Sequence, residues 1–420
     1  MPHESATPLS TTGFQDDTPV AGAEPIRLPV ERSSGCPFDP PAEMARLRAE
    51  QPLARLSFPD GHVGWLATSH SLARAVFSDA RFSSRYEYLH LPFETGYSGE
   101  LPVAPVGDMT GMDAPEHTRY RRLLAGKFTV RRMAFLGERI ERITAEHLDG
   151  MERQGPTVDL VKAFAQPIPA LTICELLGVP YDEHDFFQES TATVMSHGST
   201  QEELAVALTA MHEYLRQLVL AKRAAPTDDL LSDLTRSDLT DEELTGLAVF
   251  LLGAGLDTTA NMISFGTFAL LSNPSQFAAL RADPGIADQA VEELMRYLTI
   301  AQLGARSALE DVELAGQVVR AGETVIVSTE AANRDPERYP DPDVLDLRRK
   351  ATGHLGFGHG IHQCLGQQLA RVEMRAAFPA LVSRFPTLRL AVPADEVPLR
   401  TGMNIFGVHR LPVTWGPERR

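Results

Sequence analysis

The sequence predicts a mainly α protein with a minor β region. Apolar residues recur at intervals of three and four along most of the 420 residues, which is the period of amphipathic helices. The most apolar stretch, 247–271, lies in a segment, 240–272, that is expected to form one helix about 48 Å long at ~1.5 Å per residue, long enough to cross the whole protein. Only three short segments have the pattern of strands, so the sheet should be small.

The elements follow in chain order from the same periodicity. Besides the long stretch, helical spacing occurs at 42–50, 70–79, 115–128, 134–151, 203–224 and 366–385. Segments with the pattern of strands are 53–58, 62–68 and 312–329, and Gly316 and Gly322 are the expected turn residues in the last of them. Residues 83–116 form a long loop rich in aromatic residues, glycine and proline, and such loops are usually functional or disordered.

The long helix is expected to begin with Thr240 as its N-cap, in a capping box with Glu243. Asp257, Thr258 and the polar residues beside them divide its apolar sequence into two pieces of about ten residues each. Both pieces are shorter than the ~20 apolar residues that span a bilayer. The stretch is therefore predicted to be a buried helix of a soluble protein.

Composition and charge limit the possible partners. The chain is 43% hydrophobic and 23% charged, as in ordinary soluble domains, and its formal charge of −17 disfavours nucleic acid and anionic membranes as partners. The three cysteines Cys36, Cys174 and Cys364 are odd in number and far apart, which argues against a disulfide scaffold and favours the cytoplasm. We expect a disordered polar tail at 1–25 and a single domain at 26–420.

The segment FGHGIHQCLG, at 357–366, has the densest cluster of chemically distinctive residues. A dinucleotide loop is excluded because the glycines do not continue as G-x-G-x-x-G and no acidic ribose partner follows. A zinc site of His359, His362 and Cys364 would be strained and lacks a second cluster. A nucleophilic cysteine, a thiolate ligand of haem iron and an inert buried cysteine remain open.

The spacing Phe357-x-x-Gly360-x-x-x-Cys364-x-Gly366 resembles, at every fixed position, the ligand loop of the cytochrome P-450 family. The resemblance implies the mainly α cytochrome P-450 fold, with the long central helix over haem b. It makes Cys364 the axial thiolate ligand of the iron and dioxygen the co-substrate. It also implies that Phe357, Gly358 and Gly366 contact the cofactor.

The middle of the long helix carries a second part of the resemblance, the sequence AGLDTT at 254–259. In the family, Ala254 and Gly255 would form a groove for dioxygen. Asp257 and Thr258 would be the acid and alcohol of a proton delivery path. The alternative is a helix that packs through small residues, with Thr258 bonding back to a main-chain carbonyl and bending the helix.

A third motif is the acid and base three residues apart at Glu293 and Arg296. By itself such a pair is most often a surface ion pair worth ~0.2–0.5 kcal/mol. The family resemblance implies that the pair is buried, joined by a downstream arginine, Arg334 or Arg349, and that it braces the cysteine loop. Breaking a buried triad of this kind would be costly.

Basic residues are expected to hold the two haem propionates. His117 and Arg121 lie four apart on one helical face, and arginine binds carboxylates in a bidentate fashion. The resemblance adds Arg306 and His362 to this set. The alternative for each is an ordinary solvated basic residue.

The implied function is insertion of one oxygen atom from O2 into a hydrophobic natural product, by hydroxylation or epoxidation. The sequence resembles actinobacterial enzymes of secondary metabolism that modify polyketide macrolides, and terpenoids or other lipophilic molecules are the alternative substrates. Rivals of another class are a haem electron carrier or gas sensor and a non-haem cysteine enzyme. The expected substrate contacts are Leu89, Leu91, Phe93, Val249, Leu252, Leu303, Ile405 and Phe406.

Electrons must come from another protein because the chain has no flavin or iron–sulfur signature. A ferredoxin or flavodoxin with its reductase is implied, acting on a monomer. A basic run could receive an acidic redox partner, and a solvated helix face is the alternative. This run consists of Arg119, Arg122, Lys127, Arg131 and Arg132.

Overall fold

The computed structural model describes residues 24–416, with gaps at 33–35, 94–99, 128–129, 181–182, 184–185, 187–188, 191–192, 194–199, 402 and 404. Most of the predicted polar tail, residues 1–23, lies outside the described residues. The described chain is dominated by helices and carries small sheets, so the predicted mainly α class is confirmed.

The helices confirm the six segments with helical spacing and the long central stretch. We number them α1 (Ala42–Glu50), α2 (His70–Ser78), α3 (Glu116–Ala125), α4 (Val130–Gln154), α5 (Pro167–Leu177), α6 (Gln201–Ala224), α7 (Leu230–Leu234), α8 (Asp241–Ser272), α9 (Pro274–Ala282), α10 (Ala287–Leu298), α11 (Thr329–Asn333) and α12 (Gln367–Arg384). Helices α5, α7, α9, α10 and α11 were not delimited from the sequence.

The strands are mostly short. They are β1 (Leu53–Ser57), β2 (Val63–Ala67), β3 (Phe82–Ser83), β4 (Val158–Asp159), β5 (Leu303–Ala308), β6 (Val312–Leu314), β7 (Gln317–Val319), β8 (Thr324–Ser328), β9 (Arg389–Leu390) and β10 (Pro412–Thr414). The largest sheet has the order β1-β2-β8-β5-β3, in which only the β2–β8 pair is parallel. Strands β4, β10 and β9 form a second sheet, and β6 with β7 forms a hairpin.

The three segments predicted as strands are confirmed, whereas β5, with six residues, was not predicted. The segments at 53–58 and 62–68 are β1 and β2, and 312–329 contains β6, β7 and β8. Gly316 and Gly322 both have positive φ angles, as turn residues at these positions require.

Helix α8 is the central element of the core. Thr240 caps it, with the predicted capping box to Glu243. By length and composition alone α8 could cross a membrane, but more than half of its most apolar window is buried inside the protein. It packs against α5, α6 and α12. This packing accounts for its apolar sequence without a membrane.

Candidate active site

A cavity of about 460 Å³ lies between the middle of α8 and the cysteine loop. One wall is apolar and includes Phe250, Leu251 and Ile300. The cavity is lined by eleven of the residues to which the family resemblance gives a role in catalysis, iron binding or cofactor contact. They are Thr258, Cys364 and the nine expected cofactor contacts His117, Arg121, Ala254, Gly255, Arg306, Phe357, Gly358, His362 and Gly366. The structure therefore brings together residues that are up to 249 positions apart, 366 minus 117.

The cysteine loop is held in shape by its own backbone. The Cys364 N–H donates to the Phe357 carbonyl at 2.8 Å, which closes the loop just before α12. Gly360 has φ +73°, and a Cβ there would lie 2.0 Å from the carbonyl oxygen of Phe77 at the end of α2. Only glycine fits this close approach. The local sequence thus fixes where the sulfur points.

Two opposing effects act on the Cys364 thiol. Burial raises its pKa, whereas the N–H groups of Gly366 and Gln367 and the nearby guanidinium groups of Arg121 and Arg371 lower it. Helix N-terminal amides and cations stabilise a thiolate. A bound metal ion would complete this stabilisation, because metal binding displaces the thiol proton.

The cavity wall also carries basic groups that form no salt bridge with a carboxylate among the described residues. Burial lowers the pKa of Arg306 to about 10, and its guanidinium donates to its neighbour's main-chain oxygen, Ala305 O, at 2.7 Å. Burial also lowers the pKa of Arg121. Within the residues described, neither arginine forms a salt bridge. Partly buried cations of this kind are costly unless an anion joins them.

Two histidines stand beside these arginines. Their rings lie 4.2 Å apart, and burial lowers the pKa of His117 and brings that of His362 to about 3, so both are neutral near pH 7. Nδ1 of His117 is buried and has no partner among the described residues. His362 Nε2 hydrogen-bonds the Ser84 hydroxyl at 3.0 Å. The orphaned nitrogen and the two unpaired arginines fit a ligand with carboxylates at this end, such as haem.

The middle of α8 opens toward the cavity. Ala254 is exposed there although most of the helix is buried. The Thr258 hydroxyl faces the same space and donates to the Ala254 carbonyl at 2.8 Å. The structure is compatible with both interpretations of this motif. Thr258 bonds back to a main-chain carbonyl, as in a helix packed through small residues, and it also borders the cavity, as a proton delivery path requires.

Asp257 lies beside Thr258 in sequence but has a different environment. It does not line the cavity, and its carboxylate accepts two hydrogen bonds from the Arg400 guanidinium, at 2.6 and 3.0 Å. Asn261 donates a third at 2.9 Å. The physical reason is helical phase, because consecutive residues on a helix point about 100° apart. The acid and the alcohol therefore face different sides of α8.

The predicted buried triad is present. Glu293 and Arg296 have no exposed side-chain surface and form a bidentate ion pair at 2.7 and 2.8 Å. Arg349 is the third member, at 3.1 Å from Glu293. The other candidate, Arg334, pairs instead with Asp343.

The triad reaches the cysteine loop through a hydrogen-bonded chain. Arg296 donates to the main-chain oxygen of Asn333 at 3.0 Å. The Asn333 side chain in turn accepts from the Leu355 N–H at 2.7 Å, two residues before Phe357. The contacts support a bracing role for the pair.

Of the expected substrate contacts, one lines the cavity. Leu303 lines the cavity, whereas Val249 and Leu252 do not, because the α8 face toward the cavity carries Phe250 and Leu251. Phe406 is buried against Phe265, with ring centroids 5.4 Å apart. The remaining residues outside the cavity wall are Leu89, Leu91 and Phe93 of the long loop and Ile405, which bridges to Ala301.

The basic run is mostly neutralised within the chain. Arg119 pairs with Glu243, and Arg132 and Lys127 both approach Asp233. Arg122 is exposed on α3, and the Arg131 side chain lies outside the described residues. The alternative of a solvated, internally paired helix face therefore accounts for three of the five residues.

Sequence reasoning missed two ionisable residues near this centre. Glu373 of α12 lines the cavity within hydrogen-bonding reach of the Thr259 and Thr172 hydroxyls, and burial raises its pKa to about 8. Arg400 is 143 positions from Asp257. The only local signal for Glu373 was an acid on the apolar face of α12. No local pattern in the sequence points to Arg400.

Comparison with known proteins agrees with this geometry. The cytochrome P-450 family model matches residues 285–414. Cytochrome P-450 105C1 of a Streptomyces species is 50% identical, over 90% of this chain and 96% of that protein. Pentalenic acid synthase of Streptomyces avermitilis is 46% identical, over 93% of this chain and 98% of that protein.

Solved structures give the same result. Cytochrome P-450 MoxA from Nonomuraea recticatena has a TM-score of 0.86 and 42% identity, over 94% of this chain and all (100%) of that chain. CYP105P1 in complex with filipin I has a TM-score of 0.84 and 41% identity, with the same coverage of 94% and 100%. This chain belongs to the cytochrome P-450 family and is a haem-thiolate monooxygenase that uses O2.

Proposed function

We propose that the protein inserts one oxygen atom from O2 into a hydrophobic natural product, a polyketide macrolide, by hydroxylation or epoxidation. The observation that carries the proposal is the cavity itself, where Cys364 and Thr258 meet beside an apolar wall. A terpenoid or another lipophilic molecule is the alternative substrate for the same chemistry. Family membership sets aside the non-catalytic haem carrier, the gas sensor and the non-haem cysteine enzyme.

The cofactor would be held at two ends. Cys364 is the proposed iron ligand, and Arg121, Arg306 and His117 are the proposed propionate partners, with His362 behind them. Two observations support these partners. Among the described residues, Arg121 and Arg306 form no salt bridge, and His117 Nδ1 has no hydrogen-bond partner. When bound, thiolate-ligated haem supplies the activation of O2 for oxygen insertion.

Proton delivery is assigned to Thr258 with Asp257 behind it. The Thr258 hydroxyl borders the cavity and already has a hydrogen-bond acceptor in the Ala254 carbonyl. It can therefore hold a proton donor in the cavity by accepting a hydrogen bond while it donates one. Asp257 would pass protons to Thr258 from the side of α8 that faces Arg400.

Substrate selection would rest on the apolar wall. Phe250, Leu251, Ile300 and Leu303 lie there, and apolar walls with few polar groups are typical of sites for lipophilic ligands. Filipin I is held by one solved relative, and a second relative is named for pentalenic acid; both compounds are natural products. They support the class of substrate, and secondary metabolism as the setting.

Electrons would come from a ferredoxin or flavodoxin with its reductase, as in related bacterial enzymes of this family. Exposed Arg122 is the member of the basic run that remains suited to an acidic partner. We propose a cytoplasmic monomer that needs neither membrane nor nucleic acid.

The test combines binding with isotope labelling. Macrolides, beginning with filipin I, and terpenoids are screened for a change in the haem absorption spectrum. Compounds that bind are then incubated with a ferredoxin, its reductase, NADPH and ¹⁸O2. The proposal expects a macrolide product with one labelled oxygen atom. Labelled products from terpenoids alone would favour the alternative, and products without the label would overturn oxygen insertion.

A further inference from the structure

We propose that Arg400 is a positioning residue for oxygen activation, acting through Asp257. The inference rests on the proposed function, in which Asp257 supplies protons to Thr258. Arg400 comes from the C-terminal segment 399–408, which is remote in sequence from both residues. It is distinct from the groups assigned to haem or substrate.

The contact between the two residues is specific. The two terminal nitrogens of Arg400 each donate to a different oxygen of Asp257, at 2.6 and 3.0 Å. The side chains are 9% and 19% exposed, so the pair is largely shielded from water. A bidentate fork fixes the plane of a carboxylate as well as its charge.

Asn261 completes the hold on Asp257. Its Nδ2 donates to Asp257 Oδ1 and to the Asp257 main-chain oxygen, both at 2.9 Å. Gly407 lies directly against this amide, since a Cβ at Gly407 would be 2.2 Å from Asn261 Oδ1. The C-terminal segment thus acts on Asp257 in two ways. Arg400 contacts Asp257 directly, and Gly407 packs against Asn261, which in turn donates to Asp257.

The same segment is bonded to the cavity wall. Arg400 N–H donates to the Gly407 carbonyl at 2.9 Å, and Phe406 N–H donates to the Ile300 carbonyl at 2.8 Å. Ile405 also bridges to Ala301. Ile300 and Ala301 line the cavity. The position of Arg400 is therefore set by the frame that surrounds the reacting centre.

This arrangement assigns a specific task to the arginine. Asp257 does not line the cavity, so its carboxylate acts on Thr258 only from the orientation in which it is held. Without the fork, the Asp257 carboxylate would be free to adopt other rotamers, and in most of them it would be misplaced for proton delivery to Thr258. Misplaced proton donors and acceptors slow proton transfer, and a well-placed one contributes roughly 10²–10⁴-fold.

The test uses the intact haem-loaded enzyme and needs no identified substrate. NADPH-driven O2 consumption is measured with spinach ferredoxin and its reductase, in H2O and in D2O. We expect Arg400→Gln to slow O2 consumption about tenfold and to enlarge its solvent isotope effect. Arg400→Lys keeps the charge without the fork and should stay several-fold slower than wild type, because the proposal assigns the orientation of the carboxylate to the fork.

A double-variant comparison separates positioning from general damage. Asp257→Asn should slow the reaction by itself, and adding Arg400→Gln should then change nothing further, because the arginine acts through the acid. The double variant also removes both members of the ion pair, so no buried charge is left alone. Arg32→Gln is the matched control, since Arg32 pairs with Glu330 and stacks on Phe406 of the same segment without touching Asp257.

The outcomes are distinguishable. Equal rates and isotope effects for Arg400→Gln and wild type would overturn the inference, as would an Arg400→Gln effect that persists at full size in the Asp257→Asn enzyme. A similar loss in Arg32→Gln would reduce Arg400 to a structural support and overturn it too. Failure of the proposed function itself would appear differently, as the absence of a thiolate-type CO spectrum in the wild-type protein.

Discussion

Two groups of buried charges flank the cysteine loop, and they differ in how they are satisfied. In the triad, the Glu293 carboxylate pairs with both Arg296 and Arg349, and main-chain oxygens take up the remaining Arg296 guanidinium donors. In the cavity wall, Arg121 and Arg306 have no salt bridge among the described residues. A satisfied buried cluster stabilises the fold by itself, whereas an unsatisfied one marks where a ligand's charge belongs.

The largest expected effect comes from breaking the satisfied cluster. Glu293→Gln leaves Arg296 buried without its counter-charge, and we expect a loss of about 3–5 kcal/mol in the free energy of unfolding, with poor haem incorporation. Urea denaturation and haem content measure it. Arg46→Gln, which breaks exposed ion pairs on α1, is the control and should leave both quantities unchanged. Normal stability of Glu293→Gln would contradict the bracing role.

A buried acid without a cation provides the next test. Burial raises the pKa of Glu373 from the ordinary 4.5 of a glutamate to about 8, so folding favours the protonated form. Its contribution to stability is complete below pH 4.5 and is lost as the pH rises toward 8. At ~1.4 kcal/mol per pKa unit the loss amounts to a few kcal/mol. The unfolding midpoint of Glu373→Gln should therefore fall less than that of wild type between pH 5 and about 8. Parallel curves would mean that Glu373 is not held neutral.

The unsatisfied cluster should respond in the opposite way to the triad. Arg306→Leu removes a buried cation that has no salt bridge among the described residues, so we expect the haem-free protein to be as stable as wild type or more stable. Haem affinity should fall about 10- to 100-fold, because the variant loses one charged hydrogen bond to haem, which is worth ~1.5–3 kcal/mol. Haem titration and denaturation of the haem-free protein measure the two quantities. Arg306→Lys is the control for charge. Equal destabilisation with unchanged haem affinity would remove the contrast between the clusters.

The smallest expected effect concerns the protein surface. Arg122 is exposed, so Arg122→Glu should weaken ferredoxin binding by only about threefold at low salt, with the difference vanishing at high salt. Titration of the partner at two salt concentrations measures this. Arg46→Glu, on α1, is the matched reversal. A loss that persists at high salt would require a contact other than a screened charge.

The cysteine loop could be predicted from sequence because its constraints are local. Cys364 and Gly360 are related by the geometry of one turn, and short spacing in sequence records that geometry directly. The triad was also predictable, although the choice between Arg334 and Arg349 needed the structure. Helix periodicity placed α8 correctly because its 32 residues carry a long signal.

Two kinds of feature could not be predicted from the sequence: contacts set by packing between distant segments, and very short strands. Val249 and Leu252 were chosen on the correct helix, but which side of α8 faces the cavity is decided by packing against α5, α6 and α12. Arg400 joins Asp257 from 143 positions away, and no local pattern encodes such a pair. Strands β4 and β9 have two residues each, too few for alternation to be read.

The central claim is the bond between the Cys364 sulfur and haem iron. The most direct measurement is the absorption spectrum of the reduced, haem-loaded protein under CO, recorded for wild type and for Cys364→His. We predict a strongly red-shifted Soret band in wild type and its absence in the variant. An unshifted band in wild type, or the same shifted band in Cys364→His, would contradict the assignment.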